Sequence, residues 1–227
     1  MKFVPTLLLL ASLGGVASAA SITQVKTFSF VPTDTAALTF DKFDTLGGTL
    51  TLTSITITTN VLKTGGQLSI DNDSLDPASG NISQSVTITL TSSNVSLTDV
   101  SLNPIGVNIT ATSTASISVG ADDGDGANFQ AGGPDYATSG VFANVTATNS
   151  ANVNSGAWGG YSGTGTYVIT ANGSQGFNTS AFGGAALSIT PATAGSNVTV
   201  TYNYIPEPAS ALLGGLGLLT LLRRRRN

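Results

Sequence analysis

Residues 49–58 read Thr-Leu-Thr-Leu-Thr-Ser-Ile-Thr-Ile-Thr, with an aliphatic side chain at almost every second position. A period of two puts the aliphatic groups on one face of an extended strand and the hydroxyls on the other. On a helix the same pattern would scatter apolar groups around the axis, so the run predicts a half-buried β-strand. Its apolar phase slips by one at Ser54, from Leu50 and Leu52 to Ile55 and Ile57. A strand that keeps one face buried must absorb such a slip in a β-bulge or by crossing between sheets.

The same alternation recurs along the chain. It is found in Thr27–Val31, Ala37–Phe40, Val86–Leu90, Val107–Ala111, Ile117–Val119, Val141–Thr148, Tyr167–Ala171, Ala186–Ile189 and Val198–Tyr204. About ten short strands punctuated by Gly, Asn and Asp predict an all-β domain, a β-sandwich or a jelly-roll-like fold, over residues 20–204. Residues 120–184 carry 15 glycines and read as a loop layer at one end of the sandwich or as a partly disordered stretch.

The charged residues narrow the chemistry. Between residues 20 and 204 there are eleven aspartates and three lysines (Lys26, Lys42, Lys63), a net charge of −8, with no Glu, Arg, His or Cys. Nucleic acid is not an expected partner, because binding it depends on neutralising phosphates. Without His or Cys, triads and thiol nucleophiles are excluded, and no Arg is present to clamp a phosphate. Two aspartates could still serve glycoside hydrolysis, but Asp41 and Asp44, three apart on one strand, should point to opposite faces. The body therefore reads as non-enzymatic.

Both ends depart from this composition. Lys2, an apolar core from Phe3 to Leu13 and the small residues Ala17-Ser18-Ala19 form a secretory signal peptide over residues 1–19, with the mature chain expected to start at Ala20. At the other end, Pro206-Glu207-Pro208 precedes an uncharged stretch from Ala209 to Leu222 and then Arg223, Arg224, Arg225 and Arg226. A helix of that stretch would span about 21 Å, short of a hydrocarbon core of about 30 Å. Gly214, Gly215 and Gly217 weaken it further, and the terminal arginines would stay on the cytoplasmic side. The segment is built for transient membrane association rather than permanent anchoring.

A proline–glutamate–proline tripeptide, a short glycine-bearing apolar helix and a terminal arginine cluster resemble the PEP-CTERM sorting signal of Gram-negative bacteria, here over residues 205–227. The resemblance implies an exosortase-type membrane transpeptidase as partner, cleavage near Pro206-Glu207-Pro208, and release to the cell surface or extracellular matrix. A second likeness lies in Phe28-x-Phe30, Leu38-x-Phe40-x-x-Phe43-Asp44, the Gly47-Gly48 turn and the long strand after it, which together resemble the choice-of-anchor E domain. It implies an exported β domain and brings no catalytic residues.

Two ligand classes follow from the body. Asp71, Asp73 and Asp76 in one predicted turn, and Asp122, Asp123 and Asp125 in another, offer the hard oxygens calcium prefers. Neither is an EF-hand: Leu75 falls at the fifth position of a loop starting at Asp71, and no Glu is available for the twelfth. Such clusters also form turns. No cofactor other than calcium is expected. Trp158 and Tyr161, on a Gly-rich stretch, could stack on sugar rings of an exopolysaccharide, although a lone tryptophan also serves in packing. The reading is an exported surface or matrix protein with a structural or adhesive role linked to exopolysaccharide and biofilm; the alternative is a calcium- or carbohydrate-binding module.

Overall fold

A computed structural model describes residues 18–207; most of the expected signal peptide, together with Pro208, the apolar tail and Arg223–Arg226, lies outside the described residues. Eleven strands build three antiparallel sheets. The first has β1 (Ala20–Phe30), β11 (Thr193–Pro206), β3 (Leu50–Thr64) and β8 (Val145–Asn152), in that order. The second has β2 (Thr35–Asp41), β9 (Thr166–Asn178), β5 (Ala78–Thr91) and β6 (Ile109–Val119). A small third sheet has β10 (Ala185–Thr190), β4 (Gln67–Asn72) and β7 (Tyr136–Thr138). The fold is an all-β sandwich, as the alternation predicts.

The main core lies between the two four-stranded sheets. Ile55 and Ile57 of β3 and Val198, Val200 and Tyr202 of β11 meet Phe40 of β2, Ile88 of β5 and Tyr167 and Ile169 of β9. Each comes from an alternating run, and the outward positions between them are mostly Thr, Ser and Asn. The phase slip at Ser54 is a β-bulge. The β11–β3 register passes from Asn203–Ser54 to Tyr204–Leu52, leaving Thr53 as the extra residue, and its hydroxyl donates to Asn203 O at 2.9 Å.

A second core joins Leu68 and Ile70 of β4 to Ile82 of β5, Val119 of β6, Phe142 and Phe182. It forms where β5 and β6 run on past the first sheet: Gln84 Nε2 donates to Thr190 O at 3.0 Å beside the Gly65-Gly66 turn, and β5 begins six residues earlier at Ala78. Residues 120–184 contribute β7, β8, β9 and a short helix, α1 (Trp158–Tyr161), joined by loops. The strand expected from Val141 starts only at Val145, because Phe142 turns inward as an anchor of the second core. Among the described residues, no helix is long and apolar enough to cross a membrane.

Two buried tyrosines link the sheets. Tyr202 OH donates to Asp41 O at 3.1 Å, so its contact with Tyr167 OH at 2.8 Å must be donated by Tyr167. Burial pushes the Tyr202 phenol up to about 12 and the Tyr167 phenol higher still. Removing the donor leaves Tyr202 with its bond to Asp41, whereas removing the Tyr202 hydroxyl strands both neighbours. Tyr167→Phe should therefore cost about 0.5–1.5 kcal/mol and Tyr202→Phe about 1–3 kcal/mol, read by urea denaturation; equal costs would contradict this donor order.

Candidate functional site

The acidic residues gather at one tip of the sandwich. Thr64 pairs with Thr193 at one end of the first sheet and Leu50 with Pro206 at the other. The second core and the strand ends Asn72, Ala78 and Val119 lie beyond the Thr64 end, away from Ala20 and Pro206. There the β4–β5 connection meets the loop from β6 to β7. Gly120 N donates to Pro134 O at 2.8 Å, Asp122 N to Ser74 O at 2.8 Å, and Asn72 N to Asp135 O at 3.0 Å. Asn72 Nδ2 donates to Gly120 O at 2.6 Å and to Asp76 O at 2.9 Å. A Cβ at Gly120 would stand 2.7 Å from Pro134 O, so only glycine permits this close approach.

This framework brings carboxylates together across the two connections. One carboxylate oxygen from each of Asp122, Asp123, Asp125 and Asp135 lies within 4.8 Å of the others. Gly124, at φ +86°, lets the chain reverse between Asp123 and Asp125. Asp71 stands in the wall of the cluster. Its Oδ2 accepts from Asn128 N at 2.7 Å, and the Asn128 side chain donates to Asp125 Oδ2 at 3.0 Å. Asp71 is 1% exposed, and its Oδ1 has no hydrogen-bond partner.

Electrostatics at the tip run in one direction. Burial pushes the Asp71 carboxyl above the usual carboxylate range; the Asn128 N–H opposes this, and the charges of Asp135, Asp125 and Asp73 add to the rise. Asp123 is raised by partial desolvation and by Asp125 and Asp135. None of the body's three lysines offsets these charges: Lys26 is on β1 and Lys42 follows β2. Lys63 is buried, donating to Gly65 O at 2.8 Å and standing 4.9 Å above the Phe142 ring.

The six aspartates singled out in the sequence are treated differently by the fold. Asp122, Asp123 and Asp125 converge, and Asp71 joins their wall from the end of β4 rather than from a turn. Asp73 and Asp76 are exposed and stand outside the four-carboxylate group. Asp135, 3% exposed, is the member that local sequence does not flag: it stands alone after Pro134 and is brought in by the pairing of Tyr136 with Asp71 and by the bond from Asn72 N.

The remaining candidates fall elsewhere. Tyr161 is fully buried, its hydroxyl donating to Ser96 O at 2.8 Å and its ring edge-on to Tyr167, so no sugar can reach it. Trp158 packs against the main core with Nε1 donating to Val153 O at 3.1 Å. β2 ends at Asp41 and the chain turns, so Asp44 does not share its strand; both residues line a concavity with Phe43, Leu46, Leu50 and Tyr202. Asp44 Oδ1 there accepts from Leu46 N at 2.8 Å, the bond of a turn-forming residue. Pro206 pairs with Leu50, and Glu207 N donates to Thr49 O at 2.7 Å.

No family model matches the chain, and no curated protein matches it. Among solved structures it is weakly similar to capsid structures of infectious bursal disease virus. One, of the Gx strain, is 13% identical with a TM-score of 0.16, over 85% of this chain and 44% of the viral chain. Another, the VP2 subviral particle, is 13% identical with a TM-score of 0.16, over 89% and 49%. The chain thus spans under half the length of these capsid chains, and a likeness this low carries no inference about fold or function.

The buried Asp71 yields a pH prediction. A carboxyl whose folded pKa lies above its unfolded value holds its proton more tightly when folded. Its favourable contribution is complete below about pH 4 and is lost as pH rises through the higher folded value. In EDTA, Asp71→Asn should match the unsubstituted protein near pH 4 and exceed it in Tm at pH 7. Thermal melts at the two pH values check this, and a constant difference would contradict it.

Proposed function

We propose that this chain is an exported, non-enzymatic surface or extracellular-matrix protein of a Gram-negative bacterium, with a structural or adhesive role in an exopolysaccharide matrix. The observation that carries this reading is the fit of the folded unit to the interval between two processing points. β1 begins at Ala20, the residue expected to follow signal cleavage, and β11 ends at Pro206, the first residue of the sorting tripeptide. Ala20 and Tyr204 are paired neighbours, so both signals leave the same end of the domain.

The edge geometry suits removal of the tail. β1 stops at the Ala20–Tyr204 pair, so Ile205 and Pro206 are paired with β3 alone and Glu207 is held there by one hydrogen bond. A transpeptidase needs an extended segment, and these last residues can be peeled from one neighbour without opening the sandwich. The Thr-, Ser- and Asn-rich outer faces and the net negative charge of the body keep such a module hydrated. Intact-mass analysis of the protein recovered from the host's outer surface or matrix should give a chain starting at Ala20 and lacking Arg223–Arg226. A mature mass that retains those arginines would overturn the reading.

A further inference from the structure

We propose that Asp71, Asp122, Asp123, Asp125 and Asp135 hold one calcium ion between the end of β4 and the loop from β6 to β7. This goes beyond the export reading and does not depend on it. Two observations carry it independently. Carboxylate oxygens of Asp122, Asp123, Asp125 and Asp135 lie within 4.8 Å of one another, a spacing that one ion can gather. Separately, Asp71 is 1% exposed and its Oδ1 has no partner, although its Oδ2 is tied through Asn128 to Asp125. A buried carboxylate oxygen without a donor is costly, and a cation supplies what the protein does not.

The chemistry selects the ion. All the donors are carboxylate oxygens, with no His or Cys anywhere in the chain, which suits a hard cation rather than zinc or copper. Four carboxylates on an irregular, glycine-containing loop, with Asp71 beside them at the end of β4, can supply six to eight oxygens in the adaptable geometry calcium takes. Magnesium demands a rigid octahedron and keeps much of its water, which fits a crowded carboxylate cluster poorly. The ion would join the β4–β5 connection, through Asp71, to the loop through Asp122–Asp135. It would thereby brace the tip of the domain farthest from its termini.

The test is calcium titration of the purified protein by calorimetry, with thermal melts in EDTA and in millimolar calcium or magnesium. The expected result is about one calcium per chain and a Tm rise of about 5–10 °C at saturation. Asp71→Asn and Asp135→Asn should each lose most of that rise, while Asp44→Asn, beside Leu50 at the opposite end of the domain, should keep it. In Asp71→Asn, folding is checked by the melt in EDTA itself. An unchanged Tm between EDTA and calcium, an undiminished rise in both cluster variants, or an equal response to magnesium would each overturn the assignment.

Discussion

The structure depends on one pairing: β11, the last strand of the domain, lies between β1 and β3 and bonds to both along most of its length. It supplies Val198, Val200 and Tyr202, all fully buried, to the main core. Until residues 193–206 are available, β1 and β3 have no partner on their facing edges and the core lacks its centre. Ala20 pairs with Tyr204 across nearly the whole chain, so closure is non-local and entropically demanding. A chain of this design stays open until β11 can pair with both neighbours.

The same strand separates the molecule into two ends of different character. At one end the start of β1 lies beside the end of β11. At the other, β5 and β6 outrun the first sheet and need a cover, which β4 and its neighbours provide over the second core. Lys63 sits at the junction, buried, its amine pushed down by desolvation and satisfied by Gly65 O and the face of Phe142. Beyond it lies the carboxylate cluster. The fold thus keeps Ala20 and Pro206 at the end opposite its densest negative charge.

Much of the sandwich is legible in the sequence because one-sided burial writes itself as alternation. β3, β9 and β11 read directly, β6 shows only as two separate runs, and even the Thr53 bulge shows as a phase slip. β4 does not, because Leu68 to Asn72 are buried on both faces and polar Ser69, Asp71 and Asn72 break the pattern. That hidden strand turns Asp71 from a turn residue into the buried wall of the cluster. Asp135 is invisible for a related reason, since its neighbours are brought by β4–β7 pairing and not by sequence spacing. Trp158 and Tyr161, promising as an exposed aromatic pair, are drawn inward by the core's demand for volume and by the acceptors Val153 O and Ser96 O.

Backbone hydrogen exchange tests the central position of β11 most directly. Amides of residues 194–203, bonded on both sides, should be among the slowest in the protein and exchange together with those of β3 in a single unfolding event. Residues 205–207, held on one side, should exchange sooner. Rapid exchange across residues 194–203 while β3 and β5 stay protected would contradict the account, because it would make the last strand an addition to the sandwich and not its centre.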